Sequence, residues 1–327
     1  MTDTATTTTM SIEIPGKSTT MNGFKYSFEL KGVPPQFANG IRRILLNEMP
    51  VVEVTNVSIQ TNTTLMPNEM LTLRTELLPV NVRPTEEDLI RTAKITLHAD
   101  GTKPRIYTSD FVTTGRNDIL LKDRDLGTPL FFMKMKPDET IHLTAGLRVN
   151  PSSSHVCVAT YFYHVDEERA QEDLDEFLED NEGWDEAEQV FNNFYRQRSY
   201  AKDEKGRPNW FDFTVESIGV IPARELVKDA LQILKKGVIE WTSNDIIREK
   251  EENVYKITTD VGGHTVGSLV QALLYDSGLC QFVSYDVPHP LRTEMNVRFL
   301  TPRTPEEILA FVKTKITELC DTAVSLL

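Results

Sequence analysis

The stretch FANGIRRILLNEMP, residues 37–50, has the pattern of a short amphipathic helix that is ended by proline. Its apolar residues recur at i, i+4, i+7 and i+8 and would share one face of that helix: Phe37, Ile41, Ile44 and Leu45. Arg42 and Arg43 stand side by side among them. An arginine pair on a helix surface is most often solvated or salt-bridged. Nucleic acid, a substrate and another protein are the alternative partners.

Length and composition set the class of protein. The chain has 327 residues, enough for two domains, and its 39% hydrophobic and 26% charged content is typical of a globular protein. No apolar run approaches the roughly 20 residues that span a bilayer, so we expect no membrane partner. The Thr-rich start has neither the basic nor the apolar region of a signal peptide, and we predict a disordered tail over residues 1–21. Three well-separated cysteines without a CxxC pair indicate a reducing compartment and no cysteine-ligated zinc.

Acidic residues are concentrated in one segment, residues 166–188. Of the formal net charge of −14, −12 falls in this segment and only −2 in the rest of the chain. Such a block usually stays solvated, which predicts a surface insertion or partly helical linker; an acidic arm that contacts a basic partner is the alternative. The near-neutral remainder, which lacks a basic stripe, argues against binding of nucleic acid by this chain alone.

The order of predicted elements indicates an internal duplication. A strand, a turn, a short helix and a strand occur at 24–60 and again at 253–300, each matched by a longer helix, at 222–241 and 305–326. Residues 92–165, between the copies, have mostly β character. Thr265 is a candidate N-cap of the second short helix. Apolar seams on the second short helix and on the last helix would let the half-domains pair: Val266, Leu269, Val270, Leu273 and Leu274; Leu309, Val312, Ile316 and Leu319.

Motifs that carry catalytic chemistry are weak. Gly262 and Gly267 in VGGHTVGS have the outer spacing of a phosphate-binding loop, but Ser268 stands where the loop needs lysine. A glycine turn before a helix is therefore the better interpretation. His155, Cys157 and His164 are too few for a metal site when the first two share one face of a strand and the third points away. We predict no catalytic site in this chain.

Two motifs in the first half resemble the alpha-type subunits of multisubunit RNA polymerases. They are the N-x-I-R-R core (Asn39, Ile41, Arg42, Arg43) and the R-x-x-L-L-P element that runs from Arg74 to Pro79. The resemblance is to the bacterial alpha N-terminal domain and to the third-largest subunit of nuclear RNA polymerase II. GGHTVGSLVQALL (262–274) and SYDVPHPLRTEMNVRFLT (284–301) resemble the small eleventh subunit of the same enzyme.

The resemblance implies an α+β fold with two alpha-like dimerisation halves of β-α-β-β-α type. The halves would pair in cis, and the first would contain a mostly β inserted domain. Two chains that elsewhere form a heterodimer would here be fused, as in large DNA viruses that carry their own transcription apparatus. The expected boundaries are a disordered tail (1–21), a first half-domain (22–52 plus 208–245), an inserted domain (53–207) and a second half-domain (252–327).

The implied function is that of a non-catalytic assembly scaffold of a DNA-directed RNA polymerase. It would dock the largest and second-largest subunits and small accessory subunits, contact DNA only through the complex, and form no homo-oligomer. Docking is expected at Asn39, Arg42, Arg43 and Arg74. Intramolecular dimerisation is expected at the two apolar seams and at Phe37, Ile41, Ile44 and Leu45.

Cofactors and location follow from the same resemblance. Relatives often carry cysteine-bound zinc or an iron–sulfur cluster in the inserted domain, but residues 51–156 contain no cysteine, so neither is expected. The expected location is intracellular and, for a viral source, the virion and the host cytoplasm or nucleus.

Glu76 stands where the family has glycine, a departure from the pattern. The alternatives are a stand-alone nucleic-acid-binding regulator and a small nucleotide-using enzyme built on VGGHTVGS.

Overall fold

The computed structural model describes residues 12–153, 156–289 and 291–327. The chain divides into two compact units. Unit 1 consists of Met1–Leu45, Ala159–Val215 and Val227–Leu327, and unit 2 of Leu46–Val158 and Glu216–Leu226.

Strands and helices are interspersed along the chain. The strands are β1 (Ser18–Thr20), β2 (Lys25–Lys31), β3 (Met49–Asn62), β4 (Ile95–Asp100), β5 (Arg105–Tyr107), β6 (Phe111–Thr113), β7 (Phe131–Lys134), β8 (Thr140–Ser153), β9 (Cys157–Tyr163), β10 (Trp210–Ser217), β11 (Ile246–Arg248), β12 (Val254–Thr259), β13 (Phe282–Asp286) and β14 (Met295–Leu300). The helices are α1 (Pro35–Asn47), α2 (Asn68–Glu76), α3 (Glu87–Thr92), α4 (Glu167–Asp180), α5 (Ala187–Val190), α6 (Ala223–Trp241), α7 (Gly263–Ser277) and α8 (Pro305–Leu326).

Two four-stranded sheets of matching order form the framework of unit 1. Their orders are β1-β2-β10-β9 and β11-β12-β14-β13, so each first long strand lies beside the last strand of its half. In β2 and β10 of the first sheet, buried residues alternate with more exposed ones, as period-2 patterning requires. Phe28 of β2 stacks on Phe213 of β10 with ring centroids 5.0 Å apart. The repeated order confirms the predicted α+β fold with two alpha-like halves.

The third strand of the first half differs from the prediction. Residues 51–60 lie in β3, which pairs with β8 in unit 2, whereas β9 holds the sheet position that β13 holds in the second half. Unit 2 therefore covers 46–158 plus 216–226, and not the expected insertion of 53–207. The reason is that β-rich periodicity identifies a strand but does not say which sheet it joins.

The prediction of a disordered tail over residues 1–21 is wrong for residues 12–21. Residues 1–11 lie outside the described residues, but Glu13 pairs with Lys31 in an antiparallel bridge and β1 pairs with β2. Ile12 and Ile14 are buried. These two residues, which follow the Thr-rich start, provide apolar surface that the chain buries against the sheet.

Unit 2 is built mainly of strands. A sheet of order β3-β8-β4-β6 and a two-stranded sheet of β5 and β7 enclose an apolar core with α2 and α3. Its fully buried residues include Leu71, Ile95, Leu97, Ile106, Ile119 and Leu143. The predicted mostly β character of the inserted domain is confirmed.

The acidic segment lies in unit 1 and is largely helical. Asp166 caps α4, because its carboxylate accepts a hydrogen bond from the backbone N–H of Arg169 at 3.3 Å. Ala170 is the buried residue of α4, so the acidic side chains are left at the surface.

Three local predictions about helices need correction. Helix α1 ends at Asn47 and Pro50 lies in β3, so the proline does not end the helix. The N-cap of α7 is Gly262, whose left-handed φ of 71° suits glycine, and Thr265 is inside the helix. The apolar face of α8 contains Ile308, whereas Leu309 is only half-buried. In a straight helix with 3.6 residues per turn, the buried residues shift gradually away from a strict seven-residue repeat.

Among the described residues, the helices lack the combination of length and apolarity that a bilayer span requires.

Gly267 offers a test of how closely α7 packs on its sheet. A Cβ at this position would lie 2.6 Å from Tyr285 Cδ2 and 3.0 Å from Met295 Sδ. We expect Gly267→Ala to lower the free energy of unfolding by about 1–3 kcal/mol because the overpacked helix must shift. Chemical denaturation followed by circular dichroism measures this.

Gly237→Ala is the matched control for that variant. Gly237 lies inside α6, and its Cβ would make an ordinary 3.5 Å contact with Val266 Cγ2 of α7. The substitution should raise stability by about 0.5–1 kcal/mol through helix propensity. Equal effects of the two variants would contradict the close packing inferred at Gly267.

Candidate subunit interface

The polar side of α1 holds its two arginines in different ways. Arg42 donates two hydrogen bonds to Asn39 Oδ1, from Nε at 3.2 Å and from Nη2 at 2.9 Å. The spacing of three residues places these side chains one above the other on the helix surface. Asn39 therefore fixes the orientation of the Arg42 guanidinium.

Arg43 connects the two halves of unit 1. Its Nε donates a 2.9 Å hydrogen bond to Thr265 Oγ1 in the first turn of α7. Thr265 is only 3% exposed, so its hydroxyl would be costly to leave without a partner. Across the described ranges, neither Arg42 nor Arg43 forms a salt bridge. The local expectation that the pair is solvated or salt-bridged thus fails for Arg43, whose described partner is a hydroxyl.

Helices of the two halves lie next to each other near two glycines. A Cβ on Gly40 of α1 would lie 3.4 Å from Leu234 of α6 and 3.7 Å from Thr265 of α7. A Cβ on Gly237 of α6 would lie 3.5 Å from Val266 of α7. Lys235 of α6 further pairs with Asp321 of α8 at 2.8 Å. Helices α1 and α6 of the first half therefore contact α7 and α8 of the second.

The apolar residues expected at the dimerisation seam are buried with one exception. Phe37, Ile41, Ile44, Leu45, Val266, Leu269, Val270, Leu273, Leu274, Val312, Ile316 and Leu319 are buried, and Leu309 is half-buried. Helix α7 also packs on β13, β14 and α8 within its own half. Burial alone does not separate packing within a half from packing between halves, so the dimerisation role of the individual residues stays a prediction.

Arg74, the fourth expected docking residue, lies in unit 2, apart from the α1 group in the sequence. Its guanidinium donates a hydrogen bond to the backbone carbonyl of Phe132 and lies 5.9 Å from the centroid of that ring. Arg74 thereby ties the last turn of α2 to β7. The docking role predicted for it remains a prediction.

The R-x-x-L-L-P element borders an open groove within unit 2. This groove has a volume of about 450 Å³, and Leu77, Leu78 and Pro79 form part of its wall. Leu77 is 56% exposed, although leucine is usually buried. On the opposite wall Arg124 donates to Glu216 at 2.8 Å and to the Ser217 carbonyl at 2.9 Å.

The residues of two alternative chemical sites, the phosphate-binding loop and the histidine–cysteine metal group, do not support either site. Gly267 is inside α7 and packs on Tyr285, so it is not part of a loop that could wrap around a phosphate. Burial raises the pKa of the Cys157 thiol to about 12, which disfavours the thiolate that binds metals. His155, from the weak histidine–cysteine group, lies outside the described residues.

Comparison with known proteins agrees with this architecture. The description "RNA polymerase Rpb3/Rpb11 dimerisation domain" applies to two matching family models, over residues 27–238 and 255–325. The first match alone covers more than half of the chain. The chain belongs to the RNA polymerase Rpb3/Rpb11 dimerisation-domain family, and it contains two such domains.

Individual relatives are similar over about two thirds of the chain. The DNA-directed RNA polymerase subunit Rpo3 of Pyrobaculum arsenaticum is 26% identical over 240 residues, 65% of this chain and 89% of the relative. Rpo3 of Natronomonas pharaonis is 28% identical over 63% of this chain and 87% of its own length. Subunit rpac1 of RNA polymerases I and III from Dictyostelium discoideum is 23% identical over 67% of this chain and 79% of the relative. These similarities confirm the interpretation of the chain as an alpha-like RNA polymerase subunit.

The sequence did not separate the roles of Arg42 and Arg43, and a double-mutant cycle can. Arg43→Met and Thr265→Val each remove one side of the hydrogen bond between the halves. We expect a coupling free energy of about 0.5–1.5 kcal/mol, measured by chemical denaturation of the two single variants and the double variant.

Arg42→Met combined with Thr265→Val is the control for that cycle. Because Arg42 bonds to Asn39 and not to Thr265, its effect should add to that of Thr265→Val within about 0.5 kcal/mol. Coupling as large for Arg42 as for Arg43 would show that the bond is not the source of the effect.

Proposed function

We propose that this chain is a non-catalytic assembly subunit of a DNA-directed RNA polymerase. The observation that carries the proposal is the occurrence of two Rpb3/Rpb11 dimerisation domains in one chain. The hydrogen bond from Arg43 to Thr265 and the close approach at Gly40 support pairing of the two halves within the chain. Such pairing is intramolecular, so it does not depend on subunit concentration. A homodimer is therefore not needed to complete the unit.

The partners we propose are the largest and second-largest polymerase subunits and small accessory subunits. Arg42 is the best-supported docking residue, because its guanidinium is oriented by Asn39 and has no carboxylate partner among the described residues. A carboxylate or a helix C-terminus of another subunit would satisfy its remaining donors. Arg43 and Arg74 are secondary candidates because each already bonds within the chain.

Catalysis and nucleic-acid binding are assigned to other subunits in this proposal. DNA would be contacted only through the assembled enzyme, and the near-neutral charge outside the acidic segment supports this. No cysteine-ligated zinc or iron–sulfur cluster is proposed, since burial also raises the pKa of the Cys320 thiol to about 12 and that of Cys280 to about 11. A stand-alone nucleic-acid-binding regulator has no observation in its favour.

The source and location belong to the same proposal. An RNA polymerase subunit acts where its DNA template is, which places the chain inside a cell. The order of the two halves motivates a viral fusion, found in virions and in the host cytoplasm or nucleus. Mass spectrometry of purified particles from the source would test this directly.

Affinity capture of this chain from its native source tests the assembly role. We expect both large polymerase subunits to co-purify in stoichiometric amounts. Capture of the folded chain without either subunit would contradict the assembly role. A shift of free DNA by the isolated chain would instead favour the regulator.

Arg42→Glu tests the docking surface separately. We expect at least tenfold less second-largest subunit in the captured complex, because the reversed charge repels the partner's acceptor, while thermal unfolding of the isolated chain changes little. Lys313→Glu, on the exposed side of α8, should leave the complex intact. An unaltered polymerase from Arg42→Glu would remove Arg42 from the interface without affecting the assembly role.

A further inference from the structure

Three side chains that can bind metal converge on the outer face of the first sheet of unit 1. Glu29 lies on β2, Asp212 on β10 and His164 directly after β9, so three neighbouring strands each contribute one residue. Their possible ligand atoms all lie within 4.8 Å of one another. We propose that Glu29, His164 and Asp212 bind one divalent transition-metal ion.

The spacing of the ligand atoms suits an ion of this size. Bonds of about 2.1 Å in a tetrahedral shell place ligand atoms about 3.4 Å apart. The distances between the possible ligand atoms are close to this value of about 3.4 Å. His164 Nδ1 and Asp212 Oδ1 are 2.8 Å apart, and the other separations do not exceed 4.8 Å. Small side-chain rotations would therefore open the His164–Asp212 hydrogen bond to admit the ion.

Trp210 positions two of the three ligands. Its indole N–H donates to Glu29 Oε2 at 3.0 Å, which leaves Oε1 for a metal. Its ring also stacks on the imidazole of His164, with centroids 3.8 Å apart and an interplanar angle of 11°. Support of this kind around the ligands is typical of metal sites, where it fixes side-chain orientation before the ion binds.

An open polar cavity beside the group leaves room for the remaining coordination positions. It has a volume of about 400 Å³, and its wall includes His164, Asp212, Asn192 and Asn193. Water molecules bound in this space could complete the shell. Arg196, also in the wall, is held by both carboxylate oxygens of Glu167 at 2.7 Å, which offsets its charge near the site.

The donor set indicates the class of metal. One imidazole and two carboxylates suit Zn²⁺ and similar first-row ions, whereas Mg²⁺ and Ca²⁺ prefer oxygen ligands alone. The earlier expectation of no zinc rested on cysteine content, which does not bear on a site of histidine and carboxylates. This site is also separate from the α1 arginines that we propose for subunit docking.

Isothermal titration of the full chain with ZnCl₂, after removal of any affinity tag and of bound metal by chelation, tests the proposal. We expect one equivalent of Zn²⁺ to bind at the site. His164→Ala and Asp212→Asn should each weaken the affinity at least tenfold. Trp210→Phe, which keeps a ring but loses the N–H donor, should weaken it by about 10- to 100-fold. Circular dichroism checks that each variant is folded.

His98→Ala combined with His142→Ala is the matched control. These two histidines face each other across β4 and β8 in unit 2, with ring centroids 5.2 Å apart, and could bind zinc themselves. The proposal requires zinc binding to persist in this double variant. It is overturned if the wild-type chain binds no stoichiometric zinc, if folded His164→Ala and Asp212→Asn bind it as tightly as wild type, or if the control abolishes binding. None of these outcomes depends on polymerase assembly.

Discussion

The hydrogen bond from Arg43 to Thr265 links α1 of the first half to α7 of the second half of unit 1. It satisfies a hydroxyl that is almost fully buried at the start of α7, and it does so with a residue from the opposite half of the chain. At Gly40, α1 lies beside Leu234 and Thr265, where an added Cβ would make ordinary contacts at 3.4 to 3.7 Å. Loss of the Arg43 hydrogen bond would leave the Thr265 hydroxyl buried without a partner, at a cost of about 1–3 kcal/mol. Arg42, one residue away, bonds to Asn39 of its own helix and takes no part in this contact.

Much of the fold could be predicted from the sequence because apolar periodicity records which side of an element is buried. The large apolar residues of α1 and α7 were identified in this way, but the buried Ala38 and Ala272 were not. On α8 the prediction placed Leu309 in the seam where Ile308 is buried, since a 3-4 spacing fits a heptad seam and a straight helix almost equally well over six turns. The assignment of β9 to the first sheet was out of reach, because its pairing partner β10 lies about 50 residues further along the chain and local β character does not identify it.

The docking and dimerisation roles of the predicted site residues stay predictions, and what the structure adds is the separate partners of Arg42 and Arg43. Adjacent arginines on a helix point in directions about 100° apart, so one can turn inward while the other stays at the surface. The sequence alone does not indicate which of the two arginines bonds to the other half, because that depends on the position of α7. The sequence singled out His164 but not Glu29 or Asp212, since the three residues come from distant segments and lie close together only when β2, β10 and the end of β9 are side by side.

The separation of 222 residues between Arg43 and Thr265 has a consequence for synthesis of the protein. A ribosome delivers α1 long before α7, so the apolar face of α1 is made well ahead of the second half that completes the unit. Unit 2, most of which comes from one continuous stretch, can fold in the meantime. The nascent chain therefore passes through a stage with one finished unit and one incomplete one. At that stage it is most exposed to aggregation and in greatest need of a chaperone.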